Sequence, residues 1–496
     1  MAPDAPPPPP PTLGERCERS CAEGLMCAPL PGGYCTAPCG VVGVACDGAC
    51  VETGRIGELC MKSCTKDADC RVQEGYTCDP VWHACSLPGA AAIVPKTCKG
   101  SALHDDAFRG EEIIGTGPGV YQFEPAATLL PNGDVVAVYI TRGSMFEGNA
   151  LGVSAGGKHD QPLKTDKESH FDPWVARDRS GTVHAVWYGF DGRDQNGEIA
   201  HATTKDGVTW SAPTVVHDKA DCPAEGACLD KPMIAIGPDV KARGKDVAYI
   251  LYSANDAGLR VRAMRGDTLS PPVTAAEGIY GNAVVGSDGR LHIVTLDGGP
   301  MGAYGSADQK VEYTVSSDGG ATFSKPMRIS GDGELVPFFF TNPSVAVDDA
   351  RRWLYIAYVR GGRDGVWDIV VAATHDGGKT WKRQVIGDGC SIHMVPNLAM
   401  DSRTGNLHVA YYDSEGAPRF AHAVCTAGAA KCTVKGAINA QPFAALSTER
   451  HGSKWIGEYE SLVIDDKRRL LHAVWTQPLL TEGKPVSRIM HATAKL

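Results

Sequence analysis

Two stretches of the sequence, Ser316-Ser-Asp-Gly-Gly-Ala-Thr-Phe323 and Thr374-His-Asp-Gly-Gly-Lys-Thr-Trp381, follow one pattern of hydroxyl side chain, aspartate, glycines, threonine and aromatic residue. A copy shorter by one residue reads Thr204-Lys-Asp-Gly-Val-Thr-Trp210. The aspartate is suited to accept backbone N–H groups inside a turn, and the glycines to adopt a positive φ. The aromatic ring is expected to pack between strands. Each stretch therefore predicts a tight turn that joins two β-strands.

Strand signals recur around these turns along residues 99–496. Seven short apolar runs are rich in β-branched and aromatic side chains, and each follows another strand that opens with a carboxylate or amide, often beside a proline. The seven runs are 135–140, 183–188, 247–252, 291–296, 354–359, 407–412 and 471–475. Seven four-stranded antiparallel units of roughly 45–65 residues predict an all-β, seven-bladed β-propeller. A six-bladed ring is the alternative, and it requires one of the units to be an insertion.

The last unit lacks a fourth strand, because the chain ends at Leu496 just after the third one. Residues 111–114 lie just before the first unit, and we expect them to supply the missing strand. Such a closure joins the first and last blades and removes an unpaired sheet edge between them.

The three turn sequences resemble the Asp-box, or BNR repeat, of secreted sialidases and related β-propellers, in which Ser-x-Asp-x-Gly-x-Thr-Trp recurs. The resemblance covers residues 110–496, and residues 455–462 are similar to a loop found in secreted members of this group. It implies a sialidase-like propeller that engages extracellular glycans at its axial face. In the sixth unit, the loop between Cys425 and Cys432 stands where an Asp-box is expected, so a disulfide is expected to replace it.

The cysteines are concentrated near the N-terminus and mark off a separate segment of the chain. Thirteen of the 18 lie within residues 17–98, and the series from Cys17 to Cys35 has the same spacing as the series from Cys60 to Cys78. This segment has too few large apolar residues for a core, which favours disulfides and an oxidising compartment; zinc binding is the alternative. Outside it, Cys222 is expected to pair with Cys228 and Cys425 with Cys432, and each pair closes a short loop. Cys390 and Cys98, the last cysteine of the segment, are left over and are available to pair with each other.

Residues 1–16 form a proline-rich spacer, in which the unbroken prolines at 6–11 favour a stiff, extended conformation. We therefore divide the chain into this spacer, a disulfide-rich segment at 17–98 and a propeller at 99–496. Disulfides imply export, so we expect Met1 to begin a mature or trimmed chain whose export signal is missing. The protein is expected to be secreted or tethered to a cell surface.

The charge of the chain excludes other classes of protein. It has 496 residues, with 48 Lys and Arg against 58 Asp and Glu, and a formal net charge of -10. An acidic balance argues against a nucleic-acid partner, which needs a clustered positive surface. No apolar run reaches the length of about 18 residues that a transmembrane helix needs. We expect a monomer whose partner is an extracellular glycan or glycoprotein.

The polar residues that open the first strands are expected to surround the propeller axis, because antiparallel blades place these openings on one face. Carboxylates there are suited to acid–base work on a glycosidic bond, and the alternative is that they only cap strand ends in each blade. The predicted catalytic residues are Glu124, Asp172, Tyr459 and Glu460. The predicted substrate-binding residues are Arg142, Trp174, Arg193, Asn282, Asn342, Arg360, Arg363 and Asn397.

Two classes of function stay open. Sialidases hold the substrate carboxylate with three arginines, the first in a Phe-Arg-Ile-Pro motif, and here Phe123-Glu124-Pro125 stands in that place with the opposite charge. This departure argues against a sialidase. It leaves a glycoside hydrolase for neutral or basic glycans, or a non-catalytic carbohydrate-binding or protein-binding module. No cofactor is predicted with the exception of calcium, which prefers oxygen ligands such as a ring of acids.

Overall fold

The structure is a computed structural model. It describes residues 9–17, 21–22, 25–28, 30–37, 48–52, 58–79, 83–87, 91–92, 104–115, 121–142, 149–159, 163–192, 195–221, 229–254, 257–278, 280–297, 310–331, 334, 336, 342–361, 367–387, 393–413, 419–441, 443, 456–481 and 484–496. Several residues singled out above lie outside this set: Cys98, Arg193, Cys222, Cys228, Arg363 and Cys390.

Seven antiparallel sheets form the propeller, which confirms the predicted fold and blade number. The first strands of successive blades contact one another in a ring, and the seventh contacts the first. The strands of blades one to three, in chain order, are Tyr121–Leu129, Val135–Arg142, Ala150–Ala155 and Lys158–His159; Ser169–Arg177, Val183–Asp191, Gln195–Thr204 and Thr214–Val215; and Leu229–Pro238, Asp246–Ala254, Gly258–Arg265, Thr268–Leu269 and Val273–Ala276.

Blades four to seven repeat the same antiparallel order. Their strands are Tyr280–Val285, Leu291–Asp297, Lys310–Ser316 and Met327–Arg328; Ser344–Asp348, Trp353–Gly361, Trp367–Thr374 and Lys382–Ile386; His393–Asp401, Asn406–Asp413, Arg419–Cys425 and Cys432–Ala437; and Ser461–Asp465, Leu470–Thr481 and Lys484–Lys495, with Phe108–Ile113 outside them. Two short 3-10 helices, Lys219–Asp221 and Ala427–Ala429, lie in the connections. Among the described residues, no helix is long and apolar enough to cross a membrane.

The ring is closed by the N-terminal segment of the propeller. Phe108–Ile113 pairs antiparallel with Lys484–Lys495 as the outer strand of blade seven. Phe108 is buried, and its ring packs edge-on against His422 with 5.3 Å between the ring centres. The Glu111 carboxylate accepts the Ala440 N–H at 2.7 Å. The same short segment thus holds blades six and seven together.

The Asp-Gly turns are held by the hydrogen bonds that their sequences suggest. Asp318 accepts the backbone N–H of Thr322 at 3.0 Å and its hydroxyl at 2.6 Å. These bonds hold the pKa of the Asp318 carboxyl at about 2. Gly320 has a φ of 80°, a conformation that glycine adopts at little cost. Blade six has a Cys425–Cys432 disulfide at the equivalent turn.

The cysteine-rich segment is small and stapled by disulfides. Its short strands are Met26–Ala28, Tyr34–Thr36, Gly48–Glu52, Glu58–Lys62, Thr77–Cys78, Cys85–Ser86 and Ala91–Ala92, with 3-10 helices at Asp67–Asp69 and Val72–Glu74. The bonds between described residues include Cys17–Cys27, Cys21–Cys35, Cys64–Cys78 and Cys70–Cys85. Identical spacing therefore does not give identical pairing, because Cys27 bonds to a preceding cysteine and its spacing equivalent Cys70 to a following one.

Three blades place a pair of buried or half-buried histidines at matching positions of their second and third strands. The pairs are His184–His201, His408–His422 and His472–His491, with Nδ1 to Nε2 separations of 3.0, 3.0 and 3.1 Å. Two pairs continue to a carboxylate of the ring-closing segment. His422 Nδ1 lies 2.7 Å from Asp105, and His491 Nδ1 lies 3.0 Å from Glu112.

Burial lowers the pKa of one histidine in each pair, and of the equivalent histidine in blade four, to about 4. They are His201, His408, His472 and His292. An unfolded histidine takes up its proton near pH 6.5. Between about pH 6.5 and pH 4 the unfolded chain therefore binds more protons than the folded one, and folding stability falls as the pH is lowered.

We expect the melting temperature to fall steadily between pH 6.5 and pH 4. The variant His292→Gln removes one such group, so its stability should depend less on pH, by up to about 1.4 kcal/mol per pH unit. Calorimetric unfolding at half-unit pH steps measures both slopes. An identical slope in the variant would contradict the assignment of His292 as a buried neutral histidine.

Candidate active site

Three neighbouring blades place a charged residue directly before a proline in a left-handed backbone conformation. They are Glu124 (φ 55°), Asp172 (φ 49°) and Lys231 (φ 45°). In each case the pairing of the first strand with the second shifts register around this residue, which indicates a β-bulge. A left-handed φ costs a non-glycine residue of order 1–3 kcal/mol, and such strain concentrates at functional sites.

The ammonium of Lys231 lies at the centre of the site. Its Nζ is 2.6 Å from the Asp172 carboxylate, 2.9 Å from Glu458 and 3.8 Å from Glu124. The ring centre of Tyr459 lies 5.5 Å from the same nitrogen. Glu458 comes from the segment that leads into blade seven, so four adjacent blades contribute to this cluster of Glu124, Asp172, Lys231, Glu458 and Tyr459, the axial cluster.

Burial makes the charges of the axial cluster interact strongly. Glu124, Asp172 and Glu458 are at most 5% exposed. Burial lowers the pKa of the Lys231 ammonium, but the surrounding carboxylates outweigh this and raise it well above its usual range. The lysine therefore keeps its charge. Coulomb attraction of this kind grows as water is excluded from the site.

Two carboxyl groups of the axial cluster have pKa values displaced in opposite directions. Burial raises the pKa of Glu124 well above its usual range, and the neighbouring Asp172 charge raises it further. Burial also opposes ionisation of Asp172, but Lys231 and a hydrogen bond from Glu124 bring its pKa below the usual value. The pair therefore shares one proton, which resides on Glu124 while Asp172 is ionised.

Asp230 and Tyr280 extend the polar site beyond Lys231. Burial raises the pKa of the Asp230 carboxyl well above its usual range, with the Asp172 charge acting in the same direction. The Tyr280 hydroxyl donates to Asp230 across a long 3.4 Å. Asp230 directly precedes Lys231, and Lys231 is the residue that stands before Pro232.

Trp174 and Tyr459 form an aromatic wall beside the acids. Their rings meet edge-on, with centres 5.2 Å apart. The Tyr459 hydroxyl is buried and has no hydrogen-bond partner among the residues that the structure describes. Burial raises its pKa well above the usual range, so the phenol stays protonated. An unsatisfied hydroxyl next to a half-buried indole is a suitable contact for a polyhydroxylated ligand.

Glu460 has a different environment from the other predicted catalytic residues. Its carboxyl group accepts hydrogen bonds from the Tyr412 hydroxyl and, at 3.0 Å, from the Thr476 N–H. Only 1% of the residue is exposed, and burial raises the pKa of the carboxyl well above its usual range. These contacts tie the first strand of blade seven to its neighbours.

The predicted substrate-binding residues are not all brought together. Arg142 lies near Glu124 and stacks on the Phe123 ring, 4.6 Å from its centre. Arg360 instead pairs with Asp368 at 2.9 Å. The three asparagines occupy blades four to six: Asn282 and Asn342 are partly exposed, and Asn397 is buried with its Nδ2 3.4 Å from the Val395 carbonyl. The other two predicted arginines are Arg193 and Arg363, outside the described residues.

Lys231 and Glu458 were missed by sequence reasoning. In Asp230-Lys231-Pro232 the acid is the apparent match to Glu124-Pro125, whereas the feature that the blades share is the residue directly before proline. Position relative to proline is therefore the signal that identifies Lys231. Glu458 lies two residues before Glu460 in a Glu-Tyr-Glu run, and nothing in that run distinguishes the two acids.

Calcium was predicted among the acids around the axis, and the ammonium of Lys231 lies among three of those acids. Lys231 Nζ lies where the acids of blades one, two and seven converge, and one ammonium supplies the positive charge there. In the part of the chain that the structure describes, the groups of three ligand atoms close enough to hold a metal are Cys17, Cys21 and Cys35, and Cys64, Cys70 and Cys85. All six of these cysteines are in disulfides.

Comparison with solved structures finds similar propellers. They include an α-L-arabinanase of Penicillium chrysogenum complexed with arabinobiose, at 12% identity and a TM-score of 0.44, covering 78% of this chain and 98% of that one. An α-L-arabinofuranosidase of Fusarium graminearum has 15% identity and a TM-score of 0.42, covering 62% and 93%. A Trypanosoma rangeli sialidase has 13% identity and a TM-score of 0.39, covering 77% and 59%. No protein-family model matches the chain, and a comparison with curated proteins finds no relative.

The variant Lys231→Met should destabilise the protein by about 3–5 kcal/mol at pH 8, because it leaves buried carboxylates without a counter-charge. Without the ammonium these acids have raised pKa values and bind protons on folding, so the deficit relative to wild type should shrink at pH 5. Denaturant unfolding at both pH values measures it. Lys167→Met is the control, because Lys167 pairs with the partly exposed Asp191 at 3.2 Å, and it should cost at most about 1 kcal/mol. Equal deficits at the two pH values would contradict the role of Lys231.

Proposed function

We propose that the protein is an extracellular glycoside hydrolase whose active site is the axial cluster. The observation that carries the proposal is the buried Glu124–Asp172 pair beside Lys231, whose Nζ lies 3.8 Å from Glu124 and 2.6 Å from Asp172, with surroundings that displace the two carboxyl pKa values in opposite directions. Glycoside hydrolysis needs one carboxylic acid and one carboxylate at the same pH, in positions that flank the scissile bond. Paired groups whose environments separate their pKa values are the usual mark of such an assignment.

Glu124 is the proton donor in this proposal. It gives its proton to the oxygen of the leaving sugar while the bond between that oxygen and the anomeric carbon breaks. The ionised Asp172 stabilises the positive charge that develops on the sugar ring. After the leaving group departs, the Glu124 carboxylate takes a proton from water as the water oxygen attacks the anomeric carbon.

Lys231 and the aromatic wall support this chemistry. Lys231 holds Asp172 ionised, and thus acts as a positioning residue rather than a catalytic one. The Trp174 and Tyr459 rings offer apolar faces for a sugar, and the buried Tyr459 hydroxyl offers a hydrogen bond. The disulfides at both ends of the described chain fit an oxidising, extracellular setting.

A non-catalytic glycan-binding module is the second candidate. It is favoured by the lysine, because Lys231 contacts three carboxylates and could serve as a fixed ionic support for the blades. The same aromatic wall would then bind a glycan without cleaving it. The two candidates predict different results for a carboxyl-to-amide change at Glu124.

A panel of fluorogenic glycosides tests the proposal with wild type, Glu124→Gln and Asp172→Asn. We expect at least one substrate to be cleaved and each variant to lose about 100-fold or more in kcat, the loss that removal of a general acid or base produces. Asp267→Asn, an exposed turn residue, is the charge-matched control and should retain wild-type rates. Glycan binding without any turnover would assign the protein to the binding class.

The pH dependence provides a separate test. Activity should decline at high pH as Glu124 loses its proton, with the midpoint displaced upward from an ordinary glutamate, since burial raises its pKa. The acidic limb should lie below an ordinary aspartate, because Asp172 has a lowered pKa. In Lys231→Met the acidic limb should move to higher pH. A profile of kcat/KM that is the same in both proteins would argue against the Glu124–Asp172 assignment.

A further inference from the structure

The carboxyl groups around the Lys231 ammonium outnumber the cation that they face. Burial lowers the pKa of the ammonium, and four acids raise it: Asp172, Glu124, Glu458 and Asp230. Acids that share a buried space without enough positive charge hold protons instead. Burial raises the pKa of Glu124 and of Asp230 well above the usual range, with the Asp172 charge acting in the same direction, so both keep their protons. Two protons thus stand where further positive charge is missing.

Asp230 is the acid of this group that a ligand can reach. It is partly exposed, whereas the other three acids are at most 5% exposed. Its Oδ1 accepts the Lys231 N–H at 2.8 Å, which fixes the carboxyl group at the bulge. Its Oδ2 lies 3.4 Å from the Tyr280 hydroxyl, a long contact. A ligand that approaches from solvent therefore meets the Asp230 carboxyl group before the buried acids.

The Asp230 proton is the one that a cationic ligand is placed to replace. Asp172 accepts a hydrogen bond from the Asp230 carboxyl group. Arg142 supplies a second positive charge, and that charge interacts with Glu124. Among the charges that act on Asp230, that of Asp172 is the strongest and that of Lys231 is the positive one. A further cation beside Asp230 would favour its ionised form, because an opposite charge at short range stabilises a carboxylate.

The arrangement of the acids favours an ammonium group over a metal ion. In the part of the chain that the structure describes, the groups of three ligand atoms close enough to hold a metal consist of cysteines, and these acids form no such group. An ammonium group needs fewer acceptors around it, because each of its N–H bonds is a separate donor. One carboxylate at the edge of the cluster is enough to bind it through a charge-assisted hydrogen bond.

The Tyr459 hydroxyl indicates that this ammonium belongs to a sugar. The residue is 5% exposed, and its hydroxyl has no hydrogen-bond partner among the described residues. Its ring centre lies 5.5 Å from the Lys231 Nζ, so the hydroxyl belongs to the same site. A buried hydroxyl without a partner is costly and suits a ligand that completes its hydrogen bond. A sugar supplies that hydroxyl partner together with an apolar face for the neighbouring Trp174 ring.

We propose that the Asp230 carboxyl group binds the ammonium group of an amino sugar and releases its own proton to solvent when the sugar binds. The inference rests on the proposed function and names its substrate class. The positive charge of the ligand balances the negative charge that the carboxyl group gains, so the net charge of the site is unchanged. The Glu124 proton takes no part in the exchange and stays available to the leaving sugar.

Calorimetric binding of matched sugars tests the inference at about pH 5.5, where a sugar amine carries its proton. The pairs are tetraglucosamine with cellotetraose, and methyl galactosaminide with methyl galactoside, and within each pair an ammonium group replaces a hydroxyl. At least one amino sugar should bind about 10- to 100-fold more tightly than its neutral partner, as expected for a charged hydrogen bond. Titration in two buffers of different ionisation enthalpy should show the release of about one proton for that amino sugar and none for its partner.

The variant Asp230→Asn should remove both the preference and the proton release, and leave the affinity for the neutral sugar unchanged. An amide has the shape of a protonated carboxyl group and can still donate to Asp172. The free energy of unfolding should therefore change by less than about 1 kcal/mol. Asp267→Asn, which changes an exposed turn residue, is the control and should keep both signals.

The outcomes separate this inference from the proposed function. Equal affinity within both pairs, a preference that survives Asp230→Asn, or a preference without proton release overturns the ammonium subsite and leaves the glycan site standing. Trilysine bound as tightly as the preferred amino sugar would also overturn it, since charge alone would then explain the binding. No binding of any of the four sugars overturns the subsite, and silence across the fluorogenic panel as well would refute the hydrolase.

Discussion

The attraction between the Lys231 ammonium and the carboxylates of Asp172 and Glu458 is the interaction on which the candidate site depends. Three acids from three blades could not remain together in a buried space without a cation between them, because their charges would repel at short range and low polarity. With the ammonium in place, one of the acids stays ionised and another keeps its proton. The lysine therefore determines both the assembly of the site and the protonation of its members.

The backbone of the first strands brings this cation into position. Glu124, Asp172 and Lys231 adopt left-handed conformations that an ordinary strand avoids, and the proline that follows each of them stiffens the bulge. Blade six repeats the geometry with Val395 at a φ of 54°, where the side chain is apolar and buried. The bulge is thus a structural feature of several blades, and the chemistry of the site comes from the identity of one residue in each.

How much of this could be predicted from sequence differs between the fold and the site. The Asp-Gly turns and the seven apolar runs predict the propeller because both are local signals that repeat. Glu124 and Asp172 could be placed near the axis for the same reason. Lys231 was missed because the acid beside it, Asp230, was taken as the equivalent of Glu124, although the residue directly before the proline is the one that lies in the bulge. The hydrogen bond from the Tyr412 hydroxyl to Glu460 joins two blades. Local sequence patterns do not predict it either.

The closing strand Phe108–Ile113 sets an order of events in folding. It is made before any other strand of the propeller, yet its partner Lys484–Lys495 is made last. The sheet of blade seven therefore joins residues that are almost the full propeller apart in sequence, and closing a loop of that length is slow. The strand Phe108–Ile113 therefore has no partner in blade seven until Lys484–Lys495 has been made. During that interval its backbone hydrogen-bonding groups are unpaired, and the risk of aggregation is greatest then.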